Sequence, residues 1–463
     1  METAPDSTET APGRSGERQQ ASAAVEALGA FAADLQLEHV GQRERDALDL
    51  VLLDTLGVVV AGSRTPEYLA LLAATVRAGT GPVRPRGTDV RVPVDNAAFL
   101  DGTASCMLEL DEGNKHARGH PAAHAVPAVL ALAAVEDLTA QQMMEAILVG
   151  HEVSSRFGRS VRLRRGFHPH GNWGVAGAAA AAARVLGCDA TGIAGAIDAA
   201  TGLALAVPFD AALEGTFVRN TWIGQAAVSG IQAARLAQAG LATNDGTAAS
   251  TFGELIGTLD TDALTHELGD RLDISLGYLK LHASCSYTHP PIDAVLTLRK
   301  QHDIAAERVV DIEVRTHGAA APLARIEPAT RLAAMFSIPH LVAVALRTGR
   351  VDVEASGSDA REDAVVRALA RRVRVVHEPD HDRRAPAERP AEVTITLDDG
   401  QTVSCAVPNP VGDADYHPLD RDGVIDKLVP LIGDDTVTAI VRVIERIRSE
   451  PERPARDLLD ELP

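Results

Sequence analysis

The stretch LDLVLLDTLGVVVAG at residues 48–62 decides the fold class. Val58, Val59 and Val60 would suit a β-strand, but buried strands run about 4–8 residues. This apolar run is roughly twice as long and therefore reads as a buried helix. Outward from it, segments 23–35, 66–78, 96–109, 125–135, 139–160 and 174–185 are rich in Ala and Leu and separated by Gly, Pro or polar breaks. The alanine run at 177–183 raises helix propensity and allows close helix contacts. Residues 1–22, rich in Thr, Ser, Pro, Gly and charge, read as a flexible tail, and 23–270 as a helical bundle. Beyond about residue 270 the pattern changes. VVDIEVRT (309–316) and EVTITLDDGQTVS (392–404) show β-branched alternation, the second with Asp-Asp-Gly at a hairpin turn. Helical stretches at 291–301, 338–348 and 363–373 surround them, giving a smaller α+β unit over 271–405. Residues 406–463 return to helix, chiefly over 421–448, with a charged tail at 449–463.

Composition agrees with a mainly α protein of two domains. The chain has 463 residues, 46% hydrophobic and 23% charged, too many for one ordinary core and too apolar for a disordered chain. No charge-free apolar stretch reaches the roughly 18 residues that span a bilayer, and the N-terminus lacks the pattern of a secretion signal, so the expected compartment is the cytoplasm. Four dispersed cysteines without a CxxC pair imply reduced thiols and argue against a cysteine zinc site. With 64 acids against 44 bases, the formal charge of -20 argues against nucleic acid or anionic lipid as partner. An anionic ligand would need a local basic pocket.

One candidate pocket lies between Glu152 and Asp189, where no acid occurs but Arg156, Arg159, Arg162, Arg164, Arg165, Arg184, His168 and His170 do. Such an island suits a carboxylate or phosphate. Its alternative is arginines paired with acids elsewhere. Within it, GFHPHGNWG (166–174) sets two imidazoles before an Ala-rich helix. A second cluster, ELDEGNKHARGHPAAH (109–124), crowds carboxylates beside His116, His120 and His124, as proton transfer near neutral pH requires. These histidines are spaced four apart, as a metal site on a helix could use, but Gly119 and Pro121 interrupt such a helix. A third segment, YLKLHASCSYTHPPIDA (278–294), offers Lys280 and Tyr287, with Cys285 read as packing. Phosphate-loop, nucleophile-elbow and dinucleotide motifs are absent, and the HExxH pattern begun at His151 fails at its second histidine.

Six segments in order, LDTLGVVVAGS (53–63), AAFLDGTASCMLELDE (97–112), HPAAHAVPAVLALAA (120–134), GFHPHGNWGVAGAAAAAARVLG (166–187), LKLHASCSYTHPPIDA (279–294) and FSIPHLVAVAL (336–346), resemble the MmgE/PrpD family. The resemblance covers roughly residues 25–425. It implies a large all-helical domain formed by N- and C-terminal parts, an inserted α+β lid, a homodimer, and a site between domains that needs neither metal nor organic cofactor. By position it makes Asp111, His120, His168 and Lys280 catalytic, and sets Glu109, Arg219, Tyr287 and His340 against a small carboxylate substrate. The chain departs from the family pattern at Glu109, Gly113, Arg219, Trp222 and His340, and Gly113 suggests room for a larger substrate. The expected reaction is dehydration of a hydroxylated di- or tricarboxylate by proton abstraction beside a carboxylate. Its alternatives are decarboxylation of a cis-aconitate-like acid, epimerisation, and a non-catalytic carboxylate-binding helical dimer.

Overall fold

In the computed structural model, which describes residues 12–77 and 79–463, residues 48–62 lie within one helix, Gln42–Gly62, buried from Val51 to Gly62. The bundle is built around the Ala-rich helix Gly174–Val185. Against it pack Ala140–Ser160, Val218–Gln238, Pro121–Ala133 and Ala190–Thr201. Small residues make this approach possible: a Cβ on Gly177 would run into Ser154 and the Gly150 carbonyl. Ala178 to Ala183 are fully enclosed.

The first helix, Pro12–Asp34, begins well inside the expected flexible tail, and Ala21 on it is fully buried. Residues 1–11 of that expected tail lie outside the described residues. The chain's other end is also packed. Helices Arg421–Ile432 and Asp434–Ser449, broken at Gly433, lie on Gln42–Gly62. Buried Lys427 pairs with Asp54 at 2.5 Å and donates to the Leu110 carbonyl at 2.9 Å. The 449–463 stretch docks too: Ala455 N donates to Leu138 O at 2.8 Å and Arg86 to Leu459 O at 2.6 Å.

Apolar burial falls into two main clusters. One runs from Ala24 to Ala283 and resumes from Val424 to Leu462; the other holds mainly residues 285–407. The second is organised by a four-stranded sheet in the order Val373–His377, Val309–Thr316, Ala391–Leu397, Thr402–Val407. The first pair is parallel and the others antiparallel. Val373 to His377 were expected to lie at or beyond a helix end; that helix stops at Ala370, and β-branched Val373, Val375 and Val376 pair with the strand beside them. No helix among the described residues is long and apolar enough to cross a membrane.

Candidate active site

A two-residue ladder brings the acidic loop to the lysine. Gly113–Asn114 pairs antiparallel with Gly277–Tyr278, in the register Gly113↔Tyr278. Continued by two residues, that register sets Asp111 opposite Lys280, whose Nζ donates to Asp111 Oδ1 at 2.8 Å and reaches Glu109 Oε2 at 3.4 Å. The predicted helix over 96–109 ends at Ser105, and Glu109 takes a left-handed backbone with φ 51°. That conformation is uncommon for a residue with a side chain. It turns the Glu109 carboxylate onto Arg219 of helix Val218–Gln238.

The same loop delivers His120. Asn114 Oδ1 accepts from His116 N and Ala117 N, and Asn114 N donates to Gly119 O, closing a tight turn. His120 then precedes Pro121, the first residue of the next helix. Its Nδ1 donates to the Glu112 carbonyl at 2.7 Å and lies 3.1 Å from Asp111 Oδ2. With that proton placed, Nε2 of neutral His120 is the nitrogen free to take another. Glu112 is itself held: its carboxylate accepts from Ala122 N at 3.0 Å and meets His151 Nε2 at 3.1 Å.

The 166–174 loop supplies the remaining imidazoles. It runs beside 205–209, with His168 N donating to Val207 O and Phe209 N to Gly166 O. Phe209 thereby stacks on His168 at 5.2 Å, and Trp222 meets the ring edge at 5.5 Å. His168 Nδ1 accepts from His170 N at 3.0 Å, so the neutral ring carries its proton on Nε2. The 3.5 Å contact from Arg219 Nε to that Nε2 is then a close approach of two donors. His170 lies edge-on to His168 at 4.4 Å and to His120 at 5.0 Å.

Glu109, Asp111, His168, His170, Arg219 and Lys280 expose 3% or less of their surface, and His120 8%. Burial would raise the Asp111 carboxyl, but His120 and Lys280 overturn this and hold it at about 2. Burial would lower the Lys280 ammonium, but Asp111 and Glu109 keep it well above its ordinary value. Burial, only partly opposed by Asp111, depresses His120. For His168 and His170 burial and then the Arg219 charge act together, and both rings are held well below the usual range. The centre is therefore two compensated ion pairs among neutral imidazoles.

Asp111, His120 and His170 bring one ligand atom each within 4.8 Å of one another, the kind of trio that can hold a metal. Their neighbours argue against a cation. Lys280 occupies Asp111, Arg219 Nη2 points at His170 from 3.3 Å, and the His120 Nδ1 proton is on Glu112. The His116, His120, His124 spacing, disfavoured from sequence because Gly119 and Pro121 interrupt a helix there, does not make a metal site either: His124 donates from Nδ1 to His120 O and accepts from Gly171 N at Nε2. Both of its nitrogens serve the fold.

Other expectations change. Gly113 does not open space: a Cβ there would land in the phenol of Tyr278, which also lies under the Arg389 guanidinium at 4.2 Å. Gly113→Ala should cost about 1–3 kcal/mol of stability by overpacking, read from denaturant unfolding, and adding Tyr278→Ala should relieve the crowding. An equally stable Gly113→Ala protein would refute this account.

The basic island is mostly scaffolding rather than an anion pocket. Arg156 pairs with Glu152 and donates to carbonyls of 264–267, Arg159 pairs with Asp273, and Arg184 with Glu145. Of the four residues expected to hold substrate, Arg219 spends its fork on Glu109 and His170, with Phe336 5.1 Å from its Cζ. Glu109 is taken by Arg219 and Lys280. Tyr287 packs on His317, and His340 shares a 2.7 Å hydrogen bond with the Ala355 carbonyl. His170, Glu112, His151 and Tyr278 were not among the expected site residues.

The MmgE/PrpD N-terminal domain matches residues 26–263 and the MmgE/PrpD C-terminal domain residues 282–448. The chain belongs to the MmgE/PrpD family. Among characterised members, it is 25% identical over 428 residues to the cis-aconitate decarboxylase of Mus musculus, covering 86% of this chain and 85% of that one. It is 25% identical to the Homo sapiens cis-aconitate decarboxylase, covering 89% of each chain. To that of Aspergillus terreus it is 23% identical, covering 90% of each. The chain is an enzyme of the MmgE/PrpD family.

Proposed function

We propose that the chain is a carboxy-lyase that removes carbon dioxide from an unsaturated polycarboxylate of the cis-aconitate kind. The observation that carries this is the convergence of His120, His168 and the Asp111–Lys280 pair in one buried cluster. In the resting protein the imidazoles are neutral; a substrate that brings its own negative charge favours protonation of one of them. His120 can take that proton on Nε2, because its Nδ1 proton is committed to Glu112. The bond to the departing carboxylate breaks, and its electron pair moves through the double bond onto a neighbouring carboxylate. Carbon dioxide leaves, and His120 Nε2 delivers its proton to carbon. Lys280 and the neutral His168 N–H stabilise the enediolate charge in the water-poor interior, the kind of contribution that removing one donor typically reveals as about 10²–10³-fold in rate.

The unit around the four-stranded sheet reads as a lid, since Phe336 from it lies against Arg219 and substrate must enter a centre that is closed here. A homodimer and a cytoplasmic location are part of the same reading. Dehydration of a β-hydroxy acid is the second reading, favoured by the resting His120 Nε2 standing ready to accept a proton. The test is the purified protein with cis-aconitate and, separately, 2-methylcitrate. Carbon dioxide release from the first supports decarboxylation; its absence together with water loss from the second transfers the reading to dehydration.

A further inference from the structure

We infer that His170 is a third imidazole of the reaction centre, donating a hydrogen bond from Nδ1–H to an anionic oxygen of the substrate. The inference deepens the proposed function and rests on reading this cluster as its catalytic centre. It begins with Arg219, whose Nη2 lies 3.3 Å from His170 Nε2. A guanidinium can only donate, so Nε2 must be the acceptor and the ring proton must sit on Nδ1. That Nδ1 is buried and finds no hydrogen-bond partner among the described residues. A buried donor without a partner is costly, so the molecule in use has something there.

The surroundings indicate what it is. Asp111, His120 and His170 each bring one polar atom within 4.8 Å of one another, so an anion held at this cluster lies against the His170 ring as well as the two groups proposed to handle charge and proton. A metal ion would need the Nδ1 lone pair, moving the ring proton to Nε2 and setting it against Arg219. A substrate carboxylate or enediolate oxygen needs only the proton already in place. Arg219 thus acts on substrate through His170: it fixes the tautomer, while the His168 ring lies edge-on 4.4 Å away with its own proton on Nε2, toward Arg219.

Two substitutions separate the inward donor from the contact with Arg219. His170→Gln keeps an acceptor for Arg219 near the Nε2 position but loses the inward N–H. His170→Asn keeps an amide donor near Nδ1 but loses that acceptor. With cis-aconitate as substrate, His170→Gln should lower kcat/KM by about 10- to 100-fold, the loss expected for a hydrogen bond to a charged group, with an unchanged melting temperature. His170→Asn should retain most of the activity. The reverse order would make His170 a support for Arg219 and overturn the inference. Activity removed by a chelator and restored by Zn²⁺, but not in either variant, would make the trio a metal site and overturn it equally.

The tautomer has a readout that needs no turnover. With ¹⁵N-labelled histidine, the resting protein should show His170 protonated at Nδ1, and the saturated analogue propane-1,2,3-tricarboxylate should shift that nitrogen. A proton on Nε2, or no shift on a protein that demonstrably binds the analogue, refutes the role of His170. Failure to turn over cis-aconitate with the tautomer and shift intact counts against the proposed reaction instead.

Discussion

His120→Gln is expected to slow turnover of cis-aconitate by about 10²–10⁴-fold, the usual worth of a positioned proton-transfer group. Glutamine can occupy the space and accept hydrogen bonds, but it cannot carry a proton to carbon. His168 should behave differently, because its proposed contribution is a neutral N–H. His168→Gln, which retains an N–H near the Nε2 position, should keep about 10-fold or more of the rate lost by His168→Ala, a removed donor of this kind being worth about 10²–10³-fold. Equal loss in both His168 variants would make that ring a proton carrier.

The pH profile gives an independent check. Burial holds His120 below its ordinary value in the free protein, and bound carboxylates raise it. If His120 donates the proton, kcat falls as pH rises through the value in the complex, with a midpoint above that of kcat/KM. Loss of kcat toward acid instead would mean that His120 must be unprotonated, and the reaction would be proton abstraction.

How much of this was legible differs by the kind of information required. Helix and strand periods are local, so Val309–Thr316 and Ile338–Thr348 were readable to the residue. Length alone resolved 48–62. Regions whose state depends on partners far along the chain were misread. Pro12 to Ser22 resemble a polar tail until Ala21 and Asn244 are seen to meet the bundle, Asn244 donating to the Ser22 carbonyl. The arginines at 156, 159 and 184 look like an anion trap because their acids and carbonyl partners lie up to 152 positions away.

At the site, His120, His168, Asp111 and Lys280 could be placed from motifs, and the structure brings those four together. His170 was visible as an imidazole but not as a site residue, since only the Arg219 contact gives its proton a direction. The effect of Gly113 was not legible at all, because the space beside a glycine belongs to whichever strand pairs with it, here the one carrying Tyr278. His340 occupied a suggestive motif position, yet its nearest polar partner is a backbone carbonyl fifteen residues on.

Lys280→Met should destabilise the protein by about 3–5 kcal/mol at neutral pH, the cost of leaving a buried partner charge uncompensated. The Lys280 and Asp111 side chains expose 0% and 3%, so water cannot replace the ammonium. The pH dependence follows from Asp111. In the native protein its carboxyl is held at about 2, below its unfolded value of 3.8, so it contributes stability above 3.8 that is lost as pH falls toward 2. Without Lys280 the burial effect is opposed only by His120 and Arg219, and the folded value rises from about 2. Asp111 then contributes less stability at neutral pH than in the native protein, and the difference vanishes once it is protonated in both. The gap between Lys280→Met and the native protein should therefore be widest near pH 7 and narrow on acidification. Adding Asp111→Asn, which removes the stranded charge, should recover a large part of the loss, although Glu109 at 3.4 Å keeps the recovery incomplete. Denaturant unfolding of the native protein, Lys280→Met, Asp111→Asn and the double variant at pH 7 and pH 5 measures the coupling. A deficit under about 1 kcal/mol at pH 7, in the range of an exposed ion pair, would mean that this pair is solvated in the working protein. The closed, water-poor centre on which the proposed decarboxylation depends would then be lost with it.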